Sequence, residues 1–338
     1  MKVGIRDIAE RAGVSVATVS NALNGRQGVS REISEKIVRI AEELGYRKTK
    51  KTETKAHIRL VMFKRHGLVV GDTQFFAELT EGIEQGCQEE KAELVISQIQ
   101  KGKDPDYIEK IERICADECQ GVLLLATELE KEDLGLFRQC RSPLLIVDNL
   151  FRHERVHCVV MNNYDAGYQA TEALIAQGHR EIGHITSSTE FNNMRYRRKG
   201  FEAAMRAAGL PVQEEFCWKV RPTIDGAYQD ARRLLEQRVK LPTAFFAGND
   251  IMAVGCMRAF QEAGVRMPEE LSVIGMDDTF LCQASTPPLS TIRVHRREMG
   301  RIAVNLLLHT VPLAHSSVVK TELGVDLIER GSVAAPCR

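Results

Sequence analysis

Apolar positions follow a helical period over the first 46 residues and a strand-then-helix alternation from residue 58 onward. In the first stretch Ile5, Ile8, Ala9 and Ala12 fall at i, i+3, i+4 and i+7, one face of a short helix. Gly4 holds its cap position, and Asp7 follows where a carboxylate suits a helix N-terminus. Gly13 comes after the last apolar residue, as a C-terminal glycine does. Ser15 is placed to cap a second helix with Val16, Val19 and Leu23 on one side. Ser30 is placed to cap a third that carries Ile33, Ile37, Ile40, Ala41 and Leu44 and stops at Gly45. Two short helices across a tight Gly-containing turn, then a bracing helix, make a helix-turn-helix layout. In that layout the first turns of the second helix enter the major groove, and here its outward residues are Val16, Ala17, Thr18, Asn21 and Asn24. A three-helix bundle used for protein contacts shares the same pattern.

From Ile58 the period changes. Apolar runs occupy 58–63, 94–99, 121–126, 144–147, 156–160, 182–187, 244–247 and 271–275. Helical patterns lie between them near 76–90, 105–118, 165–177, 197–208, 226–238 and 251–264. Continuous apolar strands alternating with helices predict parallel sheets covered on both faces. Eight strands are more than one such sheet needs in this length, which leaves room for two α/β lobes. A ligand would sit between the lobes, at the strand C-terminal ends.

Charge changes the picture more than composition does. The formal net charge is 0, but residues 1–55 carry 12 basic against 7 acidic side chains, a net +5, and the remainder 34 against 39, a net −5. A basic head on an acidic body suggests that only the head meets a polyanion, the alternative being a solvated charged segment. Hydrophobic residues at 43% and charged residues at 27% exclude pervasive disorder, and 338 residues suit two or three domains. No apolar run reaches the roughly 18 residues of a membrane span. Residues 1–9 alternate charged and apolar positions without an apolar leader, so the expectation is a cytoplasmic chain that meets no membrane. Nine cysteines, scattered from Cys87 to Cys337, fit reduced thiols better than a disulfide framework.

Catalytic and metal motifs are weak. His153-Glu154-Arg155-Val156-His157 spells H-E-x-x-H, but it follows a strand ending at Asp148 and precedes an apolar run, so it reads as loop into strand. The zinc motif needs a helix to put both histidines on one face. Cys115 and Cys119 fall at i and i+4 of the expected 105–118 helix, with no second Cys/His pair to complete a site. No G-x-G-x-x-G, P-loop or G-x-S-x-G elbow is present, so hydride, phosphoryl and acyl transfer lack their usual handles. No metal, no cofactor and no enzymatic activity are expected.

The run IRDIAERAGVSVATVSNALNG, followed by VSREISEKIVRIAEELGY, resembles the headpiece of the LacI/GalR family of bacterial transcription regulators. The resemblance implies that Val16, Ala17 and Asn21 face base edges while Ser15, Thr18, Asn24 and Ser30 lie near phosphates. Asn21 can hydrogen-bond a base edge, whereas Val16 and Ala17 offer only apolar contact, for instance to a thymine methyl. The segment after Tyr46 departs from the family. It reads Arg47-Lys48-Thr49-Lys50-Lys51-Thr52-Glu53-Thr54-Lys55, without the usual Pro-Asn pair or the leucine that wedges into the minor groove. Lys48, Lys50 and Lys51 either hold phosphates electrostatically or belong to a flexible charged linker.

The resemblance continues through the body, in FFAELTEGIEQG, NNYDAGYQATEALIAQGHREIGHI, RRKGFEAAMRAAGL, the stretch from PTAFFAGND to GMDDT, PPLSTIRVHRREMGRIAVNLLL and a closing strand in TELGVDLIERGS. It implies an all-α helix-turn-helix headpiece (1–46), a basic linker (47–57) and a two-lobed α/β effector domain of the type I periplasmic-binding-protein kind (58–332). The N-lobe would take 58–160 and 291–319, and the C-lobe 161–290 and 320–332. The family pattern places Phe75, Phe76, Asp148, Arg197, Asn249 and Asp277 at the effector. Carboxylate, amide and guanidinium groups suit hydroxyls or a small anion, and the two phenylalanines suit a sugar or base face, with core packing as their rival. An Asp at a strand end can also cap the next helix, which is the reading for Asp250 and Asp278, while Asn162 and Asn163 read as helix-start residues. Trp218 aligns with no binding position. The sum is a repressor bound as a homodimer to near-palindromic double-stranded operator DNA and controlled by a sugar or sugar-like metabolite. A solute receptor would need export, and an enzyme with a DNA-binding head would need a nucleophile or cofactor loop.

Overall fold

The computed structural model of the chain describes residues 5–23, 29–44, 57–70, 74–314 and 316–336. The chain divides into two units, Met1–Lys55 and Ala56–Arg338. In the first, α1 (Ile5–Ala12), α2 (Val16–Leu23) and α3 (Arg31–Glu43) pack around Ile8, Ala9, Ala12, Val19, Ala22, Ile37 and Ala41. Gly13 ends α1 at φ +71, and its N–H returns to the Ala9 carbonyl at 3.0 Å. The helical spacing therefore makes the core, with two corrections. Val16 turns outward from the side it shares in sequence with Val19, and Ile33 lies outside the core at 39% exposure. Helices of 8 residues are too short to cover the whole apolar stripe of α3, which has 13.

The second unit runs β1 (His57–Lys64), α4 (Gln74–Glu89), β2 (Glu93–Gln100), α5 (Tyr107–Ala116), β3 (Gly121–Leu125), α6 (Leu134–Phe137), β4 (Leu144–Val147), β5 (Cys158–Met161). It continues α7 (Asn163–Ala176), β6 (Ile182–Ser187), α8 (Asn192–Ala207), β7 (Cys217–Val220), α9 (Ile224–Glu236), β8 (Ala244–Ala247), α10 (Asp250–Glu262), β9 (Ser272–Asp277). It closes with α11 (Leu281–Ala284), β10 (Ser290–Val294), α12 (Arg296–Asn305), β11 (Lys320–Leu323) and β12 (Val325–Ile328). Two six-stranded sheets result, ordered β11-β5-β4-β3-β1-β2 and β12-β10-β9-β8-β6-β7. The first is parallel throughout, and the second is parallel apart from the β10–β12 pair. Residues of β3, β8 and β9 are buried along their whole lengths, as strands covered on both faces require.

Twelve strands among the described residues exceed the eight read from apolar runs. The additional ones, β7 and β10–β12, are short and carry polar residues, so they leave no continuous apolar signature. The expected closing strand is two strands: β11 pairs with β5 in the first sheet, and after Gly324 β12 pairs with β10 in the second. The chain accordingly passes between lobes after β5, after β10 and at Gly324, so 291–294 lie in the second sheet and 320–323 in the first, the reverse of the expected assignment. Cys119 lies beyond the end of α5, so it does not share a helix face with Cys115. The residues His153 to His157 form a loop, as read from the sequence.

Candidate functional site

In the first unit, α2 presents its start to solvent. Ser15 Oγ accepts the Thr18 N–H at 3.1 Å and lies 2.8 Å from Thr18 Oγ1, which caps the helix from the side chain as expected. Ser30 Oγ takes the Ile33 N–H at 3.4 Å at the start of α3. Val16 is 47% exposed, and Thr18 and Asn21 are half-buried. Helix α3 is tied back to α1 by Lys36, whose Nζ donates to the Ala12 carbonyl at 3.3 Å. Asn24, Lys48, Lys50, Lys51 and the side chain of Ala17 lie outside the described residues.

In the second unit, the segments that follow the strands converge on a cleft between the lobes. All six residues expected at an effector line it: Phe75 and Phe76 on α4, Asp148 after β4, Arg197 on α8, Asn249 after β8 and Asp277 at the end of β9. Phe75 and Phe76 meet edge to face, ring centroids 5.0 Å apart, and supply an apolar wall. Both Asp148 and Asp277 hold positive φ, +62 and +119, a backbone region that costs non-glycine residues about 1–3 kcal/mol and clusters at functional sites.

The carboxyl of Asp148 is wrapped in donors. Thr127 Oγ1 donates to Oδ2 at 2.6 Å, and Asn193 Nδ2 donates to Oδ1 at 3.0 Å. Burial pushes its pKa up to about 7, against the pull of the Thr127 hydrogen bond and of the Arg197 charge. Asp277 is also shifted upward by burial, with Arg197 and Arg296 opposing, and its Oδ1 has no hydrogen-bond partner among the described residues. Arg197 is 4% exposed. Its Nε donates to Asn163 Oδ1 at 2.9 Å, Nη1 donates to the Gly248 carbonyl, and Nη2 lies 3.4 Å from Met161 Sδ. This reach depends on α8 lying hard against α7: a Cβ on Gly200 would collide with the Tyr164 carbonyl.

Asn249, besides lining the cleft, caps α10 by accepting the Met252 N–H at 2.9 Å. The cap role expected of Asp250 therefore belongs to its neighbour. Asp250 is instead fully buried and accepts from the Thr279 N–H at 2.8 Å and from Thr291 Oγ1 at 2.6 Å, fixing the turn beside Asp277. Asp278 is not a cap either: it accepts from Arg293 Nε at 2.7 Å and Arg330 Nη2 at 2.6 Å. Asn162 caps α7 through the Asp165 N–H, as read. Trp218 packs on Phe245 in the core of the second lobe, ring centroids 4.9 Å apart, and does not line the cleft.

Thr127 and Asn193 escaped the sequence reading. Asp148 directly follows an apolar strand, and the same signal holds for Thr127 after the run 121–126. Asn193 stands one helical turn before Arg197 and so shares its face. Leu68, Val69 and Pro222, which also line the cleft, carry no comparable signal.

Residues 4–48 match the family described as bacterial regulatory proteins, lacI family, and residues 171–333 match a periplasmic binding protein-like domain. The chain is 30% identical over 335 residues to the HTH-type transcriptional repressor PurR of Haemophilus influenzae (strain PittEE), covering 97% of this chain and 98% of that protein. It is 33% identical over 311 residues to the ribose operon repressor of Haemophilus influenzae, covering 91% of each. A solved transcriptional regulator CelR–cellobiose complex superposes with a TM-score of 0.73 at 25% identity, over 98% of this chain and 99% of that one. The lac repressor dimer bound to operator and the anti-inducer ONPF shares the fold, with a TM-score of 0.75 at 23% identity over 99% and 100% of the two chains.

Proposed function

The chain belongs to the lacI family of bacterial regulatory proteins, and from that footing we propose that it represses transcription as a homodimer on a near-palindromic operator, released or locked by a sugar-like metabolite held between its lobes. It is a DNA-binding transcriptional regulator under effector control. In the reading unit, Asn21 supplies the hydrogen bond to a base edge and Val16 and Ala17 the apolar contacts. Ser15, Thr18, Asn24 and Ser30 meet phosphates, and Lys48, Lys50 and Lys51 add salt-sensitive attraction. Two such units on a two-fold axis would match two half-sites. Its place of work is the cytoplasm.

The observation that carries the effector reading is the pair of buried acceptors left open in the cleft, Asp277 Oδ1 and Asn193 Oδ1. A buried acceptor without a donor is costly, so a ligand that brings hydroxyl donors is favoured there. Asp148, Arg197, Asn249 and Asp277 form the polar side of that site and Phe75 and Phe76 the apolar side. Relatives agree in kind: one holds cellobiose and another is a ribose operon repressor. A ligand at 100 times its Kd adds about 2.7 kcal/mol to stability. Thermal melting of the full chain with free sugars, sugar phosphates and purines is expected to show a rise with a free sugar. No rise with any of the three classes overturns the effector reading. Binding-site selection from random duplexes that enriches no sequence overturns the operator reading.

A further inference from the structure

The outer wall of the cleft is the segment from Arg65 to Val70, which brings Leu68 and Val69 to the ligand space. It has no regular secondary structure, and Leu68 is 51% exposed, yet its main chain is gathered at one point. That point is the carboxylate of Glu128, whose side chain is fully shielded from solvent. Its Oε2 accepts the N–H groups of Arg65, His66 and Gly67 at 2.8, 3.0 and 2.9 Å. Its Oε1 accepts those of Val69 and Val70, each at 2.8 Å. The remaining amide, Leu68 N–H, donates to His66 Nδ1 at 3.1 Å, so every N–H from Arg65 to Val70 has its acceptor within this device. Gly67 turns the segment at φ +71, where a Cβ would sit 2.8 Å from Gln100 Nε2.

Burial alone would raise the Glu128 carboxyl, but the amides of Gly67, Val70, Val69 and His66 hold it below the usual carboxylate range, so it stays ionised. The adjoining residue, Thr127, hydrogen-bonds Asp148. Two consecutive residues after β3 thus hold a cleft carboxyl on one side and the cleft wall on the other. Asp133, further along the same connection, ties the wall from outside through Arg65 Nη2 at 2.8 Å and Lys101 Nζ at 2.7 Å.

We propose that Glu128 is a positioning residue for the effector: it fixes the Leu68–Val69 wall and registers it against Asp148, and so sets which ligands fit and how tightly. This rests on the cleft being the effector site. A carboxylate that merely filled a loop would satisfy one or two amides. Five, with the sixth capped from within, leave the segment a single arrangement, and that arrangement faces the ligand space.

The test uses the full chain and E128Q, in which an amide NH2 meets main-chain N–H donors that need an acceptor. Hydrogen exchange without any sugar is expected to rise at least tenfold across residues 65–70 and to stay unchanged in β8 and β9. Unchanged exchange at 65–70 overturns the proposal. Calorimetry with D-ribose and with cellobiose is expected to show at least tenfold weaker binding, in E128Q, of whichever sugar the wild-type chain takes. L68A, a substitution at an exposed position that the fold tolerates, is expected to weaken the same sugar should E128Q not fold. Undiminished affinity in either variant overturns the proposal. If neither sugar binds the wild-type chain, the effector class is left to the melting series, and Glu128 is judged by the Asp148 carboxyl signal in carbon NMR. A downward move of its titration in L68A, which keeps the Glu128 charge in place, supports the proposal, and an unmoved titration overturns it.

Discussion

Arg296 Nη1 donates to the main-chain carbonyl of Asp277, and the same guanidinium reaches Glu78 on α4 through Nε at 3.0 Å. Glu78 belongs to the first lobe and Asp277 to the second, so one buried side chain ties the main chain of a cleft residue in one lobe to a helix of the other. A second tie runs alongside it, from the Phe280 N–H to Gln74 Oε1 at 2.7 Å. A ligand that moves Asp277 therefore acts on α4 through a contact that already exists, which is what coupling of roughly 1–3 kcal/mol between sites demands.

Arg296→Met keeps the volume and removes the charge. It takes one donor from Glu78, which keeps Gln74 Nε2 at 2.7 Å, and removes the Arg296 donors from the carbonyls of Asp277 and Asp278. Removing one partner of a buried pair costs about 3–5 kcal/mol, and the partial exposure of Glu78, 14%, puts this variant at the lower end. Urea unfolding should show a loss of about 3 kcal/mol, and a loss below about 1 kcal/mol would remove Arg296 from the tie.

Asp277→Ala removes an acceptor oxygen that has no partner among the described residues. Effector affinity should fall at least tenfold, since a hydrogen bond to a charged group is worth about 1.5–3 kcal/mol. Calorimetry with the sugar found by melting reads this directly, and unaltered affinity would place the ligand elsewhere.

Asn21→Ala removes the polar group of α2 proposed to read a base edge. Discrimination should relax at one base pair per half-site by about 1–3 kcal/mol, with little change at the others. Selection from a randomised operator library measures it, and an unchanged preference at every position would refute the role.

Asn249 caps α10 and lines the cleft, and the cap can be tested apart from the proposed effector contact. Asn249→Ala should cost about 1 kcal/mol in thermal unfolding through loss of the α10 cap, and Asn249→Ser, which can still accept the Met252 N–H, should restore it. Effector affinity should stay weakened in both variants, because neither replaces the amide facing the cleft.

His184 sets a pH trend of its own. It is fully buried on β6, stacked on Phe201 at 5.2 Å, and neither ring nitrogen has a hydrogen-bond partner among the described residues. Burial, followed by the charges of Arg198 and Arg197, lowers its pKa to about 3. The unfolded chain takes up a proton near the ordinary value of about 6.5 while the folded chain does not, so this contribution is present above that value and is lost as pH falls toward 3. At pH 5 the loss is about 2 kcal/mol. Asp148 and Asp250, raised to about 7 mainly by burial, work in the opposite sense: their contribution is present below the ordinary carboxylate value and fades as pH rises through 7. His184→Phe should therefore stabilise the chain, and more at pH 5 than at pH 8. Equal gains at both values would show that His184 is not held neutral.

Much of this was legible in the residues. Helical spacing of Ile8, Ala12, Val19, Ile37 and Ala41 makes the head, and uninterrupted apolar runs such as Gly121–Leu125 and Ala244–Ala247 mark strands covered on both faces. The end of such a strand points to Asp148 and Asp277, because in parallel α/β sheets the strand C-termini open on the ligand crevice. What the residues did not reveal is where short polar strands go. β11 and β12 are separated by one glycine and join different sheets, and only pairing with β5 and β10 decides that.

The division has a physical reason. Local sequence determined period, capping and burial, because those depend on neighbours within one or two turns: Gly13, Ser15, Ser30 and Asn162 each act on atoms three or four residues away. Tertiary structure alone decided which polar group serves which partner across long separations. It turned Asp250 to Thr279 and Thr291, set Asp278 between Arg293 and Arg330, and gathered five of six consecutive amides on a glutamate some sixty residues downstream. Hydrogen bonds are short-ranged and directional, so a partner is fixed only when the fold has brought it within about 3 Å.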